Sequence, residues 1–295
     1  MPACAGRDGT RRRCVSQRRG LQGLSALRAA GRALMPILEA RGLNKSFGAV
    51  TAAADINVSV EADTVVGLIG GNGAGKTTFI NMITGYLKPD SGSIRYAGQD
   101  ITQLVPRHVT QLGMCRSFQI PQLFNSLTVR ENLLVALGVV ALGGKHWVGG
   151  TKLTSAQVDT AADDALARFG LSGERDKLAA VLPEGVRKLL DIAMAMVVKP
   201  KILLLDEPTS GVSADEKFAI MDMVMAAVRA ERVTILFVEH DMEIVNRYTH
   251  RVLAFYEGRI IADGAPEAVL NDDEVRKYVV GTIHAAAAGV SHASH

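Results

Sequence analysis

The chain of 295 residues contains little cysteine and few aromatic side chains, and it has no apolar stretch long enough to cross a bilayer. Its three cysteines, Cys4, Cys14 and Cys115, stand at unrelated spacings that form neither a metal-binding pattern nor a disulfide framework, so a reducing compartment is expected. The longest apolar run, at 133–144, is shorter than the roughly 20 residues that a membrane helix needs. The sequence therefore excludes a disulfide-rich secreted domain and a protein that crosses a membrane unaided.

Charge is distributed unevenly along the chain. Residues 1–34 contain eight arginines and one acid, a charge of +7, so the remaining residues carry −4 of the overall +3. This basic segment lacks a sustained hydrophobic period, which predicts disorder. We interpret it as an extension ahead of a natural start at Met35; a nucleic-acid-binding arm and a targeting segment are the alternatives. Low complexity also predicts a disordered tail at 282–295.

An apolar strand at Val65–Ile69 runs directly into a glycine-rich loop and then into a helical pattern. The loop, GGNGAGKTT, matches the spacing G-x-x-x-x-G-K-[ST] in full. Glycines let backbone N–H groups close around phosphate oxygens, the helix start adds its positive end, and the lysine adds a mobile cation. The Thr77 hydroxyl can ligate Mg²⁺. The pattern predicts a nucleotide phosphate site. Its candidate residues are Gly70, Asn72, Gly73, Ala74, Gly75, Lys76, Thr77 and Thr78.

Two later strands end in polar residues that suit the same site. The apolar run at 201–207 has the profile of a central parallel strand and finishes in Asp206 and Glu207. Since open α/β sheets bind ligands at the carboxyl ends of their strands, Asp206 is a candidate to hold Mg²⁺ through water. Glu207 is a candidate to orient or deprotonate an attacking water. A third strand, at 233–241, brings His240 to the same edge, where it could reach a γ-phosphate.

Together these motifs resemble the ATP-binding cassette of ABC transporters, and the likeness extends from residue 36 to 281. The resemblance implies an α/β P-loop NTPase fold with a mostly parallel central sheet, an antiparallel β edge and a helical subdomain at 120–200. The alternating stretch at 37–47 is expected to form an edge strand. ATP and Mg²⁺ are the implied cofactors, and hydrolysis of ATP to ADP and phosphate is the implied reaction.

Individual residues extend the resemblance. Phe47, in KSFG, resembles the aromatic residue that stacks on adenine in this family. Gln119 resembles the glutamine that senses Mg²⁺ and the γ-phosphate while linking to the membrane subunit. Asp206 and Glu207 match the metal-binding acid and the catalytic base, and His240 matches the switch histidine. The implied catalytic residues are Lys76, Glu207 and His240. The implied metal-contacting residues are Thr77, Gln119 and Asp206.

A loop with the sequence LPEGV, at 182–186, occupies the place of the family's signature loop, Leu-Ser-Gly-Gly-Gln, which faces the ATP held by an opposite subunit. Leu182 and Gly185 are retained, so Gly185 is a candidate nucleotide contact. The other three residues differ, which removes a hydroxyl donor and adds a carboxylate, and Ser213 stands where the family has an aspartate. We therefore predict unequal ATP sites, with weaker turnover at the site that this loop closes. The alternative is that the altered loop functions normally, because related importer cassettes accept proline at this position.

The insertion at 120–181, the VEHDM stretch at 238–242 and the ending GRIIADGAPEAVL resemble the cassettes of branched-chain amino-acid importers. Importers of urea, amides or aromatic acids and the lipopolysaccharide-export ATPase share the pattern and remain alternatives. The resemblance implies a second ATPase subunit, with a heterodimer favoured over a homodimer, two membrane permeases and, indirectly, a periplasmic or extracellular binding protein. It places the chain at the cytoplasmic face of the plasma membrane as a peripheral subunit.

Three rival classes fit the sequence less well. A DNA-repair or chromosome-organising ATPase would need a long coiled-coil or zinc insertion, and a ribosome-acting protein normally holds two cassettes, whereas one phosphate loop occurs here. The acidic balance after residue 34 also argues against a nucleic-acid partner. A binding module without turnover is disfavoured by the intact Lys76, Glu207 and His240.

Overall fold

Two β-sheets and the helices packed against them form the part of the chain that the structure describes. The structure is a computed structural model, and it describes residues 36–117, 121–142 and 154–281. All of these residues fall within one compact unit. Gln119 and both of the segments predicted to be disordered lie outside the described residues. The expectations for them stay predictions.

The smaller sheet is antiparallel. Its strands are β1 (Leu38–Phe47), β2 (Val50–Val60), β4 (Ser91–Tyr96) and β5 (Gln99–Asp100). They lie in the order β2-β1-β4-β5, so the prediction of β1 as an edge strand is wrong. Leu38 pairs with Val60 on one side and with Tyr96 on the other. The sequence pattern did not reveal β4, because its first residues, SGS, lack the apolar alternation of a strand.

The larger sheet consists of β3 (Val65–Gly70), β6 (Met114–Ser117), β7 (Ile202–Asp206), β8 (Thr234–Val238), β9 (Arg251–Tyr256) and β10 (Arg259–Gly264). The strands lie in the order β10-β9-β3-β8-β7-β6. All neighbours are parallel except β10, which runs antiparallel to β9. This confirms the predicted mostly parallel sheet. β3 and β8 are buried along their whole length, as strands covered on both faces must be.

The third predicted strand, at 233–241, ends earlier than expected, at Val238. The reason is the helix that follows. Asp241 is its N-cap residue, and the Asp241 side chain accepts hydrogen bonds from the N–H groups of Glu243 and Ile244. Because the chain must turn to place this cap, His240 lies in the connection after β8 and not in the strand itself.

The α-helices of the described residues lie between these strands along the chain, except for the last two, which follow β10. They are α1 (Lys76–Ile83), α2 (Pro106–Gln111), α3 (Val129–Leu142), α4 (Ser155–Arg168), α5 (Glu184–Val197), α6 (Lys217–Glu231), α7 (Met242–Tyr248), α8 (Pro266–Leu270) and α9 (Asp273–Val275). α3, α4 and α5 occupy the region expected to form a helical subdomain, whose boundaries stay a prediction. Over the described residues, no helix combines the length and the apolar character that spanning a bilayer requires.

The larger sheet separates two apolar cores. Leu203 and Leu205 of β7 belong to one core, which they share with buried residues of α3 to α7. Ile202 and Leu204 belong to the other core, which they share with α1 and the smaller sheet. The division follows from the alternation of side chains along a strand. Helices therefore cover one face of the sheet, and α1 with the smaller sheet covers the other.

Candidate functional site

Three neighbouring strands end at one edge of the larger sheet and bring the candidate residues together. β8 lies between β3 and β7, and all three run parallel. The chain leaves β3 into the glycine-rich loop, and β7 ends at Asp206, directly before Glu207. It leaves β8 towards His240. This is the carboxyl edge of a parallel sheet, where open α/β folds bind their ligands.

The glycine-rich loop follows a path on which side chains have no room. Gly70 and Gly75 have positive φ angles of 155° and 105°. A Cβ atom on Gly70 would lie 2.6 Å from the Phe255 carbonyl oxygen, and one on Gly75 would lie 2.7 Å from the Ala52 carbonyl oxygen. Both positions therefore require glycine. Helix α1 begins directly after the loop, so the N–H groups of its first turn, which have no intrahelical partner, are available to an anion.

Lys76 is buried at the start of α1, with 6% of its surface exposed. Its Nζ donates hydrogen bonds to the carbonyl oxygens of Gly70, at 2.6 Å, and Gly71, at 3.0 Å. Burial lowers the pKa of Lys76, and the carboxylates of Glu207 and Asp206 oppose this lowering. The ammonium group is thus held against the loop by carbonyl acceptors that phosphate oxygens could replace.

Arg116 of β6 connects Asp206 to helix α1. Its Nη2 donates a hydrogen bond to Asp206 Oδ2 at 2.7 Å, and its Nη1 donates one to Asn81 Oδ1 at 2.7 Å. Arg116 pairs with Leu204 in the parallel ladder, so it shares a face of the sheet with Asp206, two positions further along β7. The guanidinium group therefore fixes one carboxylate oxygen of the candidate metal ligand. Sequence reasoning missed Arg116, because both of its partners are distant in the chain.

Glu207 and His240 form a pair across the ends of β7 and β8. Glu207 Oε1 lies 3.1 Å from His240 Nε2, and the two side chains are 21% and 32% exposed. Glu207 adopts a left-handed backbone conformation with φ 48°, and its N–H donates to the Val238 carbonyl oxygen at 3.0 Å. The carboxylate is thus partly open to solvent and held beside an imidazole.

A buried lysine on α5 contacts the main chain of Glu207. Lys188 is 4% exposed, and its Nζ donates to the Glu207 carbonyl oxygen at 2.8 Å. Burial lowers the pKa of Lys188, and the carboxylates of Glu184, Glu239, Glu207 and Asp191 oppose this lowering. The contact joins the helical region to the candidate catalytic residue. The available sequence signal was a lysine at the start of an apolar helical stretch, and sequence reasoning passed over it.

The candidate residues surround a cavity of about 670 Å³. The predicted site residues that line it are Phe47, Asn72, Gly73, Ala74, Gly75, Lys76, Thr77, Thr78, Asp206, Glu207 and His240. Phe47 is 53% exposed, and Lys45 Nζ lies 5.7 Å from the centre of its ring. Gln122, three positions after the predicted Gln119 in the sequence, also lines the cavity, together with Arg116. The structure thus brings together cations, hydroxyl groups, carboxylates and an exposed aromatic ring in one opening.

Gly185 lies away from this cavity, in the first turn of α5. The prediction that 182–186 is a loop is therefore wrong in part: the helix begins at Glu184, with Pro183 as its N-cap residue. Proline is tolerated there because the helix needs no N–H group from that position. A Cβ atom on Gly185 would lie 2.9 Å from Ile220 Cδ1 of α6, so the glycine allows the two helices to pack closely.

Comparisons with known proteins place this arrangement in a family. A family model described as ABC transporter matches residues 53–210. The high-affinity branched-chain amino acid transport ATP-binding protein BraF of Pseudomonas aeruginosa is 34% identical over 250 residues, which cover 83% of this chain and 98% of BraF. The lipopolysaccharide export system ATP-binding protein LptB of Haemophilus influenzae is 33% identical over 249 residues, covering 84% of this chain and 98% of LptB.

A solved structure agrees with the sequence comparisons. The ADP conformation of MJ1267, described as an ATP-binding cassette of an ABC transporter, superposes with a TM-score of 0.72 at 33% sequence identity. The match covers 83% of this chain and 98% of MJ1267. Since the family model covers more than half of the chain, and the relatives and the solved structure match it over nearly their whole length, the chain belongs to the ABC transporter family as an ATP-binding cassette.

Proposed function

We propose that this chain hydrolyses ATP to drive an importer of branched-chain or related amino acids. The observation that carries hydrolysis is the Glu207–His240 pair, with Oε1 and Nε2 3.1 Å apart beside the cavity that Lys76 also lines. A nucleotide-binding module without turnover would not need a carboxylate held at this position. The amino-acid class is supported by BraF, a branched-chain amino acid transport ATP-binding protein, which this chain resembles over nearly the full length of BraF.

The residues that line the cavity suit a nucleoside triphosphate with Mg²⁺. Phe47 would stack on the base, and the loop N–H groups with Lys76 would hold the phosphates. The Thr77 hydroxyl group would bind Mg²⁺ directly and the Asp206 carboxylate would hold it through water, which suits an ion that keeps several waters while phosphates supply other ligands. Gln119 is proposed as a further contact. When bound, the metal ion would offset the negative charge of the phosphates.

The proposed chemistry is the attack of water on the γ-phosphorus of ATP, which breaks the bond to the oxygen that bridges the β- and γ-phosphates and leaves ADP and phosphate. The Glu207 carboxylate orients this water and accepts its proton. His240, whose Nε2 is hydrogen-bonded to Glu207, holds the carboxylate and lies where it can contact the γ-phosphate. Lys76 exchanges its carbonyl acceptors for phosphate oxygens, which places its positive charge beside the group that is transferred.

The proposed assembly is a pair of cassettes on two membrane permeases. Two ATP molecules are held between the cassettes, and contacts to their γ-phosphates favour the closed pair, which shifts a two-state equilibrium. The second cassette is proposed to be a different chain, because the altered stretch around Gly185 needs a partner with an intact signature loop. Closure is transmitted through the Gln119 region and the helices α3 to α5 to the permeases at the cytoplasmic face of the membrane. A binding protein outside the membrane delivers the cargo. The proposed assembly includes no nucleic acid.

A second candidate function is lipopolysaccharide-type export, which the identity to LptB supports. The deciding experiment is purification of the native chain from detergent-solubilised membranes, followed by identification of its companions by mass spectrometry. A different single-cassette ATPase, two unlike permeases and a soluble binding protein would support import. Copies of this chain alone with export-type membrane subunits would support export and reject the heterodimer.

A further inference from the structure

The connection after β8 contains a buried carboxylate that the proposed chemistry does not use. Glu239, the residue before His240, is 3% exposed. Its Oε1 accepts two hydrogen bonds from Thr209, from the backbone N–H at 3.0 Å and from the hydroxyl group at 2.6 Å. Its Oε2 accepts the backbone N–H of His240 at 3.1 Å. One carboxylate thus connects the loop after Glu207 with the loop that contains His240.

The hydrogen-bond donors around Glu239 favour its ionised form. The N–H of Asp241 adds a further hydrogen bond to those from Thr209 and His240. Burial raises the pKa of Glu239, and these hydrogen bonds oppose the rise. The ionised carboxylate offers an acceptor to each of the donors from Thr209, His240 and Asp241, so the geometry fits the anion. A buried anion is costly unless such donors surround it, which makes the arrangement specific to a carboxylate.

We propose that Glu239 is a positioning residue, whose carboxylate holds the loops after β7 and β8 at the separation that the Glu207–His240 contact needs. The pair itself spans 3.1 Å between two partly exposed side chains. Thr209 lies two residues after Glu207, and His240 follows Glu239 directly, so movement of either loop changes the distance between Oε1 and Nε2. This inference rests on the proposed ATP hydrolysis, because its readout is turnover.

The substitution Glu239→Gln tests the proposal while the size of the side chain is kept. An amide has one acceptor oxygen and one NH2 donor. Whichever way the amide lies, either the two Thr209 donors or the His240 N–H would face an NH2 group. One of the two loops must therefore lose its anchor. We expect kcat for ATP hydrolysis by the full chain to fall about 10- to 100-fold, because a small misplacement of catalytic groups has effects of this size. KM and the affinity for a fluorescent ATP analogue should change less than about threefold, because Lys76 and the glycine-rich loop are unaffected.

A matched pair of threonine variants separates positioning from a loss of stability. Thr209→Val removes one hydrogen bond to Glu239. Thr234→Val removes a comparable bond at the opposite end of β8, where Thr234, which is 0% exposed, accepts the N–H of Asp63 at 2.9 Å. Both variants should lower the melting temperature, but Thr209→Val alone should lower kcat. If Glu239→Gln does not fold, this pair decides the question by itself.

The outcomes distinguish the inference from the proposed function. Equal kcat values for Thr209→Val and Thr234→Val, or a Glu239→Gln enzyme with the wild-type kcat, would reject Glu239 as a positioning residue. A wild-type chain that binds ATP but shows no turnover, alone or with its partner subunits, would reject the proposed hydrolysis instead. A selective fall in kcat that spares KM supports the inference.

Discussion

Lys188 Nζ donates a hydrogen bond to the carbonyl oxygen of Glu207, 2.8 Å away, from a different element of the fold. Lys188 lies in the first turns of α5, one turn after Gly185, whereas Glu207 follows the central strand β7. The contact therefore fixes the distance between the start of α5 and the backbone of the proposed catalytic base. A displacement of α5 would therefore move the backbone of Glu207, and the reverse also holds.

Replacing Lys188 with methionine should lower kcat for ATP hydrolysis about tenfold and leave KM nearly unchanged. Methionine fills a similar space but donates no hydrogen bond, so the Glu207 peptide loses its anchor while the phosphate loop stays intact. Steady-state ATPase assays measure both constants. Lys188→Arg, which keeps a buried donor, should recover part of the rate. The exposed Lys201→Met serves as the matched control, and a Lys188→Met enzyme as active as that control would contradict the prediction.

Glu207→Gln should lower kcat about 10³-fold, the middle of the range for loss of a positioned general base. ATP binding should persist, because Lys76 and the glycine-rich loop do not depend on the carboxylate. Equilibrium binding of a fluorescent ATP analogue and single-turnover hydrolysis test the two statements. Glu216→Gln, a neutralisation at an exposed position nearby, controls for a change in charge alone. A fall in kcat of less than about tenfold would assign proton acceptance to another group.

Restoring the signature sequence with the triple variant Pro183→Ser, Glu184→Gly and Val186→Gln should raise turnover of the assembled transporter. The change supplies a hydroxyl group and removes the carboxylate of Glu184, which lies 3.9 Å from Arg187 Nε at the exposed start of α5. Turnover is measured in the complex with its partner subunits. Glu184→Gln alone reports the effect of charge. Pro183→Ser alone reports the effect of a better helix cap, which stabilises a helix by about 1 kcal/mol. An unchanged rate in the triple variant would overturn the prediction of unequal sites.

Cys115 should resist alkylation in the native protein at pH 8. It is 6% exposed in β6, and burial raises the pKa of its thiol to about 12. The reactive thiolate is therefore scarce until the pH approaches that value, whereas an unfolded cysteine ionises near its ordinary pKa of about 8.5. Mass spectrometry after iodoacetamide treatment, with and without urea, measures labelling at this residue. Labelling in the native state as fast as in urea would show that β6 is not stably packed.

The sequence was most informative about residues whose partners are close to them in the chain. The strand before the glycine-rich loop and the helix after it were predicted correctly, because Gly70, Gly75 and Lys76 lie within one continuous segment. The acids after β7 were also found from a single apolar run. The order of strands in the smaller sheet was not, because β4 joins β1 only after the intervening β3 and α1.

Residues that act across the fold left weak sequence signals. Arg116, Lys188 and Glu239 each contact partners far away in the chain, and no spacing rule connects them to Glu207 or Asp206. Lys188 and Glu239 were detectable only as charged residues next to apolar runs, a pattern that exposed helix and strand ends also produce. Their burial became evident only when both sheets and α5 were in place.

The φ angle of 48° at Glu207 has a consequence for how this position can change. A residue with a Cβ atom is destabilised in this region by about 1–2 kcal/mol, whereas glycine is not. Folding stability alone would therefore favour glycine at position 207. That substitution would remove the proposed base. A Glu207→Gly variant should therefore be more heat-resistant than the native protein and lack the proposed catalytic base, so this one position sets folding stability against the proposed turnover.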